Sequence, residues 1–151
     1  MLVVDSDLSS ATMNKSKQQI VQLYGNPSIT TRKSIAWNSG QPFEDSDVLV
    51  LSSRSTDDPS SVDSTQLYLD LRISKPLVPE STITWGFAGI RTTISSTPLR
   101  FRWSHYVDSR GRDSGPPDEG TMTSCNGEEV ESGVGLNPTT GRHEQYEERW
   151  E

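Results

Sequence analysis

The stretch that decides the fold runs from Thr82 to Asp108: TITWGFAGI at residues 82–90, a short break, then PLRFRWSHYVD at residues 98–108. It holds two of the four tryptophans and two of the three phenylalanines. Its large apolar residues alternate, so Ile83, Trp85 and Phe87 share one face of an extended strand. Phe101, Trp103 and Val107 do the same in the next run, which also sets His105 on that face. Two such strands joined by a few residues read as an antiparallel pair with one buried aromatic face. Gly86 and Gly89 interrupt the first strand, where glycine signals a bulge, a sharp bend or the close approach of another backbone.

Working outward, the same period of two recurs. Ile29–Trp37 reads as a strand, closed by the turn signal Asn38-Ser-Gly40. Asp47–Ser52 is a continuous apolar run, expected to be buried on both sides or to form a covered edge. Gln66–Ile73 is the cleanest alternation: Leu67, Leu69, Leu71 and Ile73 point one way, and Tyr68, Asp70 and Arg72 the other. With the leucines turned to the core, Asp70 and Arg72 are expected to form an outward surface ion pair. Between these runs, residues 53–64 are rich in Ser and Asp and read as a mobile loop.

After the aromatic pair, residues 109–117 form a Gly/Pro-rich loop. Glu119–Cys125 and Glu128–Val134 flank Asn126-Gly127, whose residues supply the positive φ angles of a type I′ hairpin turn. His143–Trp150 alternates again, with Tyr146 and Trp150 on one face and Glu147 and Arg149 on the other. Eight strands with short sequential connections predict an all-β chain, an antiparallel up-and-down β-barrel of about eight strands. A two-sheet sandwich is the alternative. The first 27 residues differ: Ile20, Val21, Leu23 and Tyr24 suit a short helix before Gly25 and Pro27, or a flexible segment. The barrel domain is then residues 28–151.

Composition narrows the function. At 151 residues, 30% of them apolar and with a net charge of −7, the chain fits one small β-domain with polar loops. That charge disfavours nucleic acid, which demands clustered Lys and Arg. No run approaches membrane-spanning length, and no apolar signal core precedes Asp5, so neither membrane nor secretion is expected. The single cysteine, Cys125, forms no intramolecular disulfide and is expected to be a half-buried, inert thiol. Two histidines without clustered partners make a metal site improbable, and phosphate loops and nucleophile elbows are absent. No cofactor is expected. The candidate site is the barrel interior, where Trp85, Phe87, Phe101 and Trp103 line a space for a small hydrophobic ligand and His105 orients a polar group. A barrel-pocket isomerase or cyclase would need His105 and a carboxylate to converge. Asp108, Asp118 and Glu119 border the 109–117 loop and form either an acidic rim or a solvated turn.

The ordered motifs Trp85-Gly-Phe-Ala-Gly89, Trp103-Ser-His-Tyr-Val-Asp-Ser109, Asp118-Glu-Gly120, Glu131-Ser-Gly133, Asn137-Pro-Thr-Thr-Gly141 and Tyr146-Glu-Glu-Arg-Trp150 resemble the fungal Hri-type proteins. That family is named for interaction with a casein kinase I in yeast. The resemblance runs from Ser28 to the C-terminus and does not include the first 27 residues. It implies a lipocalin-like β-barrel, a cytoplasmic and nuclear location, no established enzymatic activity and a casein kinase I-type kinase as partner. Family members look like two consecutive barrels, so this chain is expected to hold the first alone. The family has no agreed active site, and no functional residue carries over. The expected function is a non-enzymatic interaction module that also has room for a small apolar ligand.

Overall fold

The computed structural model describes Lys15, residues 24–111 and residues 115–151. The expected helical or flexible character of the first 27 residues therefore lies almost wholly outside the described residues. The remainder is all-β: β1 (Ser28–Trp37), β2 (Ser46–Ser52), β3 (Thr65–Ser74), β4 (Trp85–Ser96), β5 (Leu99–Asp108), β6 (Asp118–Cys125), β7 (Glu128–Asn137) and β8 (Arg142–Trp150). Each strand pairs antiparallel with the next, and β1 pairs with β8, so the sheet closes in sequence order. Closure leaves no strand edge open for unwanted pairing. The expected up-and-down barrel is the observed one. Asn126 and Gly127 both have positive φ (53° and 81°), as the type I′ turn requires.

The interior departs from expectation. On β3 the inward residues are Gln66, Tyr68, Asp70 and Arg72, while Leu67 is 62% exposed and Leu69, Leu71 and Ile73 lie on the outer side. Asp70 and Arg72 do pair, Nε to Oδ1 and Nη2 to Oδ2 at 3.0 Å each, but inside the barrel. Alternation separates two faces without saying which is inner. Here partners on β3 itself and on neighbouring β4 decide: the Arg72 guanidinium lies over the rings of Trp85 (4.7 Å) and Phe87 (5.4 Å), replacing lost hydration with the Asp70 carboxylate and two π faces.

Val107 is the second reversal. A bulge places Gly89 opposite His105 and Ala88 opposite Val107, so the extra residue Tyr106 shifts the parity of β5. Val107 is 68% exposed, and Asp108 turns inward instead. Gly89 is needed there: a Cβ on it would lie 1.7 Å from the Ser104 carbonyl oxygen. Ile83 is likewise exposed, just before β4 begins.

One end of the barrel carries the β2–β3, β4–β5 and β6–β7 connections, and a small apolar core of Tyr24, Leu99, Phe101 and Met122 fills it, with Trp103 packed alongside. The 53–64 segment, expected to be mobile, is folded against this end. Asp63 N–H donates to the Thr93 carbonyl (2.9 Å), Thr93 N–H to Ser64 (2.9 Å), and the Thr93 hydroxyl to Pro59 (2.7 Å). Its Ser and Asp residues serve as turn formers, Asp58 accepting from Ser60, rather than as a solvated tether. Cys125, expected to be half-buried, is exposed beside the hairpin turn.

Candidate functional site in the barrel interior

All five residues read from the sequence as interior, Trp85, Phe87, Phe101, Trp103 and His105, lie on inward positions of β4 and β5, but they divide between two clusters. Phe101 and Trp103 meet edge to face at 6.0 Å and belong to the apolar end, where Tyr24 also meets Phe101 at 5.4 Å. Trp85, Phe87 and His105 gather toward the opposite mouth. His105 stacks on Phe87 with ring centroids 4.3 Å apart and 13° between planes; Trp85 sits 4.5 Å from Phe87; Tyr68 meets both Phe87 and His105 edge-on.

His105 is gripped at both nitrogens. Nδ1 lies 2.9 Å from Asp108 Oδ2, and Nε2 lies 2.9 Å from Asp118 Oδ2. Asp108 Oδ1 also accepts from Trp85 Nε1 and the Arg110 N–H, both at 2.9 Å. Burial works against the imidazolium, but the hydrogen bonds to Asp118 and Asp108 outweigh it, and the net shift of the His105 pKa is upward. Burial also works against the Asp108 carboxylate, and its donors, His105 first, bring its pKa below the ordinary value. The condition set for acid–base chemistry, convergence of His105 with a carboxylate, is thus met twice over. Both ring nitrogens face carboxylate oxygens, so the protonated ring donates at each and in that form has no free lone pair with which to act as a base.

Three further groups inside the barrel escaped the sequence reading. Arg32 bonds Glu44 (2.7 Å) and Glu148 (2.6 Å), joining β1 to the β1–β2 connection and to β8. Burial raises the pKa of Glu148 even against Arg32 and Arg72. Burial, then the nearby Glu148, raises Glu131 well above the usual carboxylate range, and Tyr146 donates to it at 2.6 Å. Arg91 lies over Phe101 at 4.1 Å and donates to the Tyr24 carbonyl and to Gln66; burial pushes its pKa down to about 10. Parity could have found Glu148, which shares its face with Tyr146 and Trp150. Asp118 could not be found so, because only the β5–β6 register, Trp103 opposite Asp118, brings it to the interior.

Among the described residues, two buried side-chain donors have no protein partner: the Tyr68 hydroxyl and Trp150 Nε1, on residues only 5% and 7% exposed. Such groups are satisfied in nearly all folded proteins, by water or a ligand when not by protein. Among the described residues no cluster of His, Cys, Asp and Glu is arranged to hold a metal ion, and no helix is long and apolar enough to cross a membrane.

The outer face is organised in the opposite sense. Ile29 pairs with Leu51, Leu51 with Leu69, Leu69 with Ala88 and Ala88 with Val107, an unbroken apolar row across β1–β5. Leu49, Leu71 and Gly86 form the next row, and Leu67 with Ile90 a third. The outer faces of β7 and β8 and of the neighbouring part of β1 instead carry Lys33, Glu128, Glu147 and Arg149 in ion pairs.

No curated protein and no solved structure matches this chain. One family model does, that described as Protein HRI1, over residues 28–151. Because that match takes in every strand from β1 to β8 and most of the chain, the protein belongs to the HRI1 family.

Proposed function

We propose that the chain is a non-catalytic interaction module whose docking surface is the outer face of β1–β5. One observation carries this: the register aligns apolar side chains into continuous rows outside the barrel, while Arg32, Asp70 and Arg72 of the same strands are turned inward. Isolated exposed apolar residues are ordinary, but a contiguous patch of this kind marks a binding surface. The casein kinase I-type kinase implied by the resemblance is the first partner to test, in the cytoplasm and nucleus that the same resemblance implies. The immobilised chain is expected to capture the purified kinase, and the pair Leu51→Lys and Leu69→Glu to weaken capture by about tenfold or more, or at least about 1.4 kcal/mol. Undiminished capture by a folded pair variant would overturn the surface assignment. Wild-type chain that captures no kinase would remove this partner. The absence of catalysis is supported by His105, whose two ring nitrogens are both engaged.

A second reading, a small-molecule binder, is favoured by the unpartnered Tyr68 hydroxyl and Trp150 Nε1. The ligand differs from the apolar one expected at first. Alongside an apolar part against Trp85 and Phe87, it would need acceptors for buried donors. Native mass spectrometry decides: excess mass lost on denaturation supports a retained ligand, and a bare chain mass removes it.

A further inference from the structure

We propose that the apolar end of the barrel seats a small monocarboxylic acid, with its carboxylate on Arg91 and its apolar body against Phe101 and Met122. This seat rests on the small-molecule reading and deepens it, naming the head group and placing it at the opposite end from Trp85 and Phe87. Arg91 points inward from β4, between Gln66 on β3 and Trp103 on β5. Its guanidinium lies over Phe101 at 4.1 Å and over the Tyr24 ring at 5.6 Å. Its two acceptors are uncharged, the Tyr24 carbonyl (3.1 Å) and the Gln66 side-chain oxygen, and both are reached from Nη2. Nε and Nη1 have no acceptor among the described residues. Arg91 is only half-buried, so those donors stay open to an incoming group.

Arg91 differs in this from the other interior cations. Arg32 bonds Glu44 and Glu148, Arg72 bonds Asp70, and His105 bonds Asp108 and Asp118. A charge withdrawn from water is costly unless a counter-charge reaches it. Glu129 and Glu131 are the carboxyl groups that act on Arg91, yet neither bonds it among the described residues. Burial raises the pKa of both, which favours their neutral forms and leaves the guanidinium poorly compensated. Water satisfies N–H groups but brings no charge. A carboxylate does both, and its two oxygens match the planar fork of a guanidinium. Trp150 Nε1 is a second, independent sign of a missing acceptor. This buried donor without a protein partner lies at the same end, on the residue of β8 directly opposite Glu129. Tyr24, Leu99, Phe101 and Met122 make the surroundings apolar, which suits an acid with a short aromatic or aliphatic body and disfavours a strongly hydrated phosphate.

Titration of the full isotope-labelled chain with phenylpropionate, phenylpropanol and phenylpropylamine tests this, because the three share one body and differ in charge. Tryptophan indole N–H signals in heteronuclear NMR spectra report binding, the Trp150 signal being the one lost in Trp150→Phe. The acid is expected to shift that signal with a dissociation constant of about 1 mM or below, the range open to so small a ligand. The alcohol is expected to bind at least about tenfold more weakly, and the amine to leave the signal unmoved. Arg91→Met is expected to abolish the preference of acid over alcohol. Should Arg91→Met fail to fold, Arg91→Lys keeps the charge and loses the fork, and is expected to weaken the acid while leaving it ahead of the alcohol. An acid bound no better than the alcohol, or bound undiminished by a folded Arg91 variant, would overturn the inference. A preference for the amine would overturn it and move the head group to Asp108 and Asp118, with the small-molecule reading left in place. Binding of none of the three would overturn it as well, and a bare chain in native mass spectrometry would then remove that reading too.

Discussion

His105 and Glu131 show how single buried titrating groups set the pH response of this barrel. His105 has a folded-state pKa above its ordinary 6.5, so the stability it contributes is full below that value and is lost as pH rises through the folded one. Glu131, raised by burial and by Glu148, has the same sign: its buried neutral form is favoured, and stability falls as pH rises through its elevated pKa. Wild-type stability to urea is therefore expected to decline as pH rises, first above the ordinary carboxyl value of 4.5 through Glu131 and further above 6.5 through His105. The two contributions separate by substitution. Glu131→Gln removes the ionisation and leaves an acceptor for Tyr146, so it is expected to flatten the decline above pH 4.5, making the variant more stable than wild type at alkaline pH, and to change little below that value. His105→Gln removes the imidazolium that joins Asp108 to Asp118; it is expected to destabilise at acid pH and to flatten the decline above neutrality. Unchanged pH profiles in both variants would sink this account. The sequence made His105 legible as an inward residue, since it shares parity with Phe101 and Trp103. Its two carboxylates were not legible: Asp108 reaches the interior only through the bulge opposite Gly89, and Asp118 only through a register set across the β5–β6 loop.

At the scale of the strands, β4 and β5 show what alternation can and cannot tell. The strands were readable from period-two runs, from the continuous apolar run at residues 47–52 and from the Asn126-Gly127 hairpin signal, and Gly89 was readable as a point of unusual geometry. Its role follows from the backbone: a Cβ there would sit 1.7 Å from the Ser104 oxygen, which belongs to a neighbouring strand rather than to a side chain that can move aside. At Gly86 the nearest neighbour is the Leu71 Cδ2 methyl at 3.3 Å, which can rotate. Gly89→Ala is accordingly expected to cost about 3 kcal/mol or more, because β4 and β5 must separate or the bulge must dissolve. Gly86→Ala is expected to cost under about 1 kcal/mol. Paired urea denaturation curves test the contrast, and equal costs would refute the close-approach argument. What the strands did not reveal was facing. The four β3 aliphatics look like a core stripe, yet the side of the strand that can make a bidentate ion pair and stack on Trp85 and Phe87 is the one that turns inward. Composition hinted at this. With an apolar share of 30%, few apolar residues are available to fill a barrel, so polar residues must share its interior.

For the molecule as a whole, closure depends on the β1–β8 pairing, and Arg32 sits at that seam. Its guanidinium bonds Glu148 across the seam and Glu44 beyond the end of β1, both bonds almost wholly out of water. The bulge between Arg32 and Ser34 lets Ile35 and Trp37 continue inward beside Glu148 and Tyr146. The short sequential connections made closure predictable, whereas nothing local to Arg32 in the sequence announces partners 12 and 116 positions away. A buried ion pair adds little net stability over a well-packed apolar substitute, but removing one member strands the others. Arg32→Met leaves two carboxylates facing each other without a cation. It is expected to cost about 3–5 kcal/mol, lowering the melting temperature by about 10 °C in a domain of this size. Adding Glu44→Gln and Glu148→Gln to Arg32→Met removes the stranded charges, and the triple variant is expected to recover most of that loss. Recovery would mean that the seam is held by backbone pairing and packing, with the charges serving to fix its register. A triple variant as unstable as the single one would instead make the guanidinium itself the fastening of the barrel.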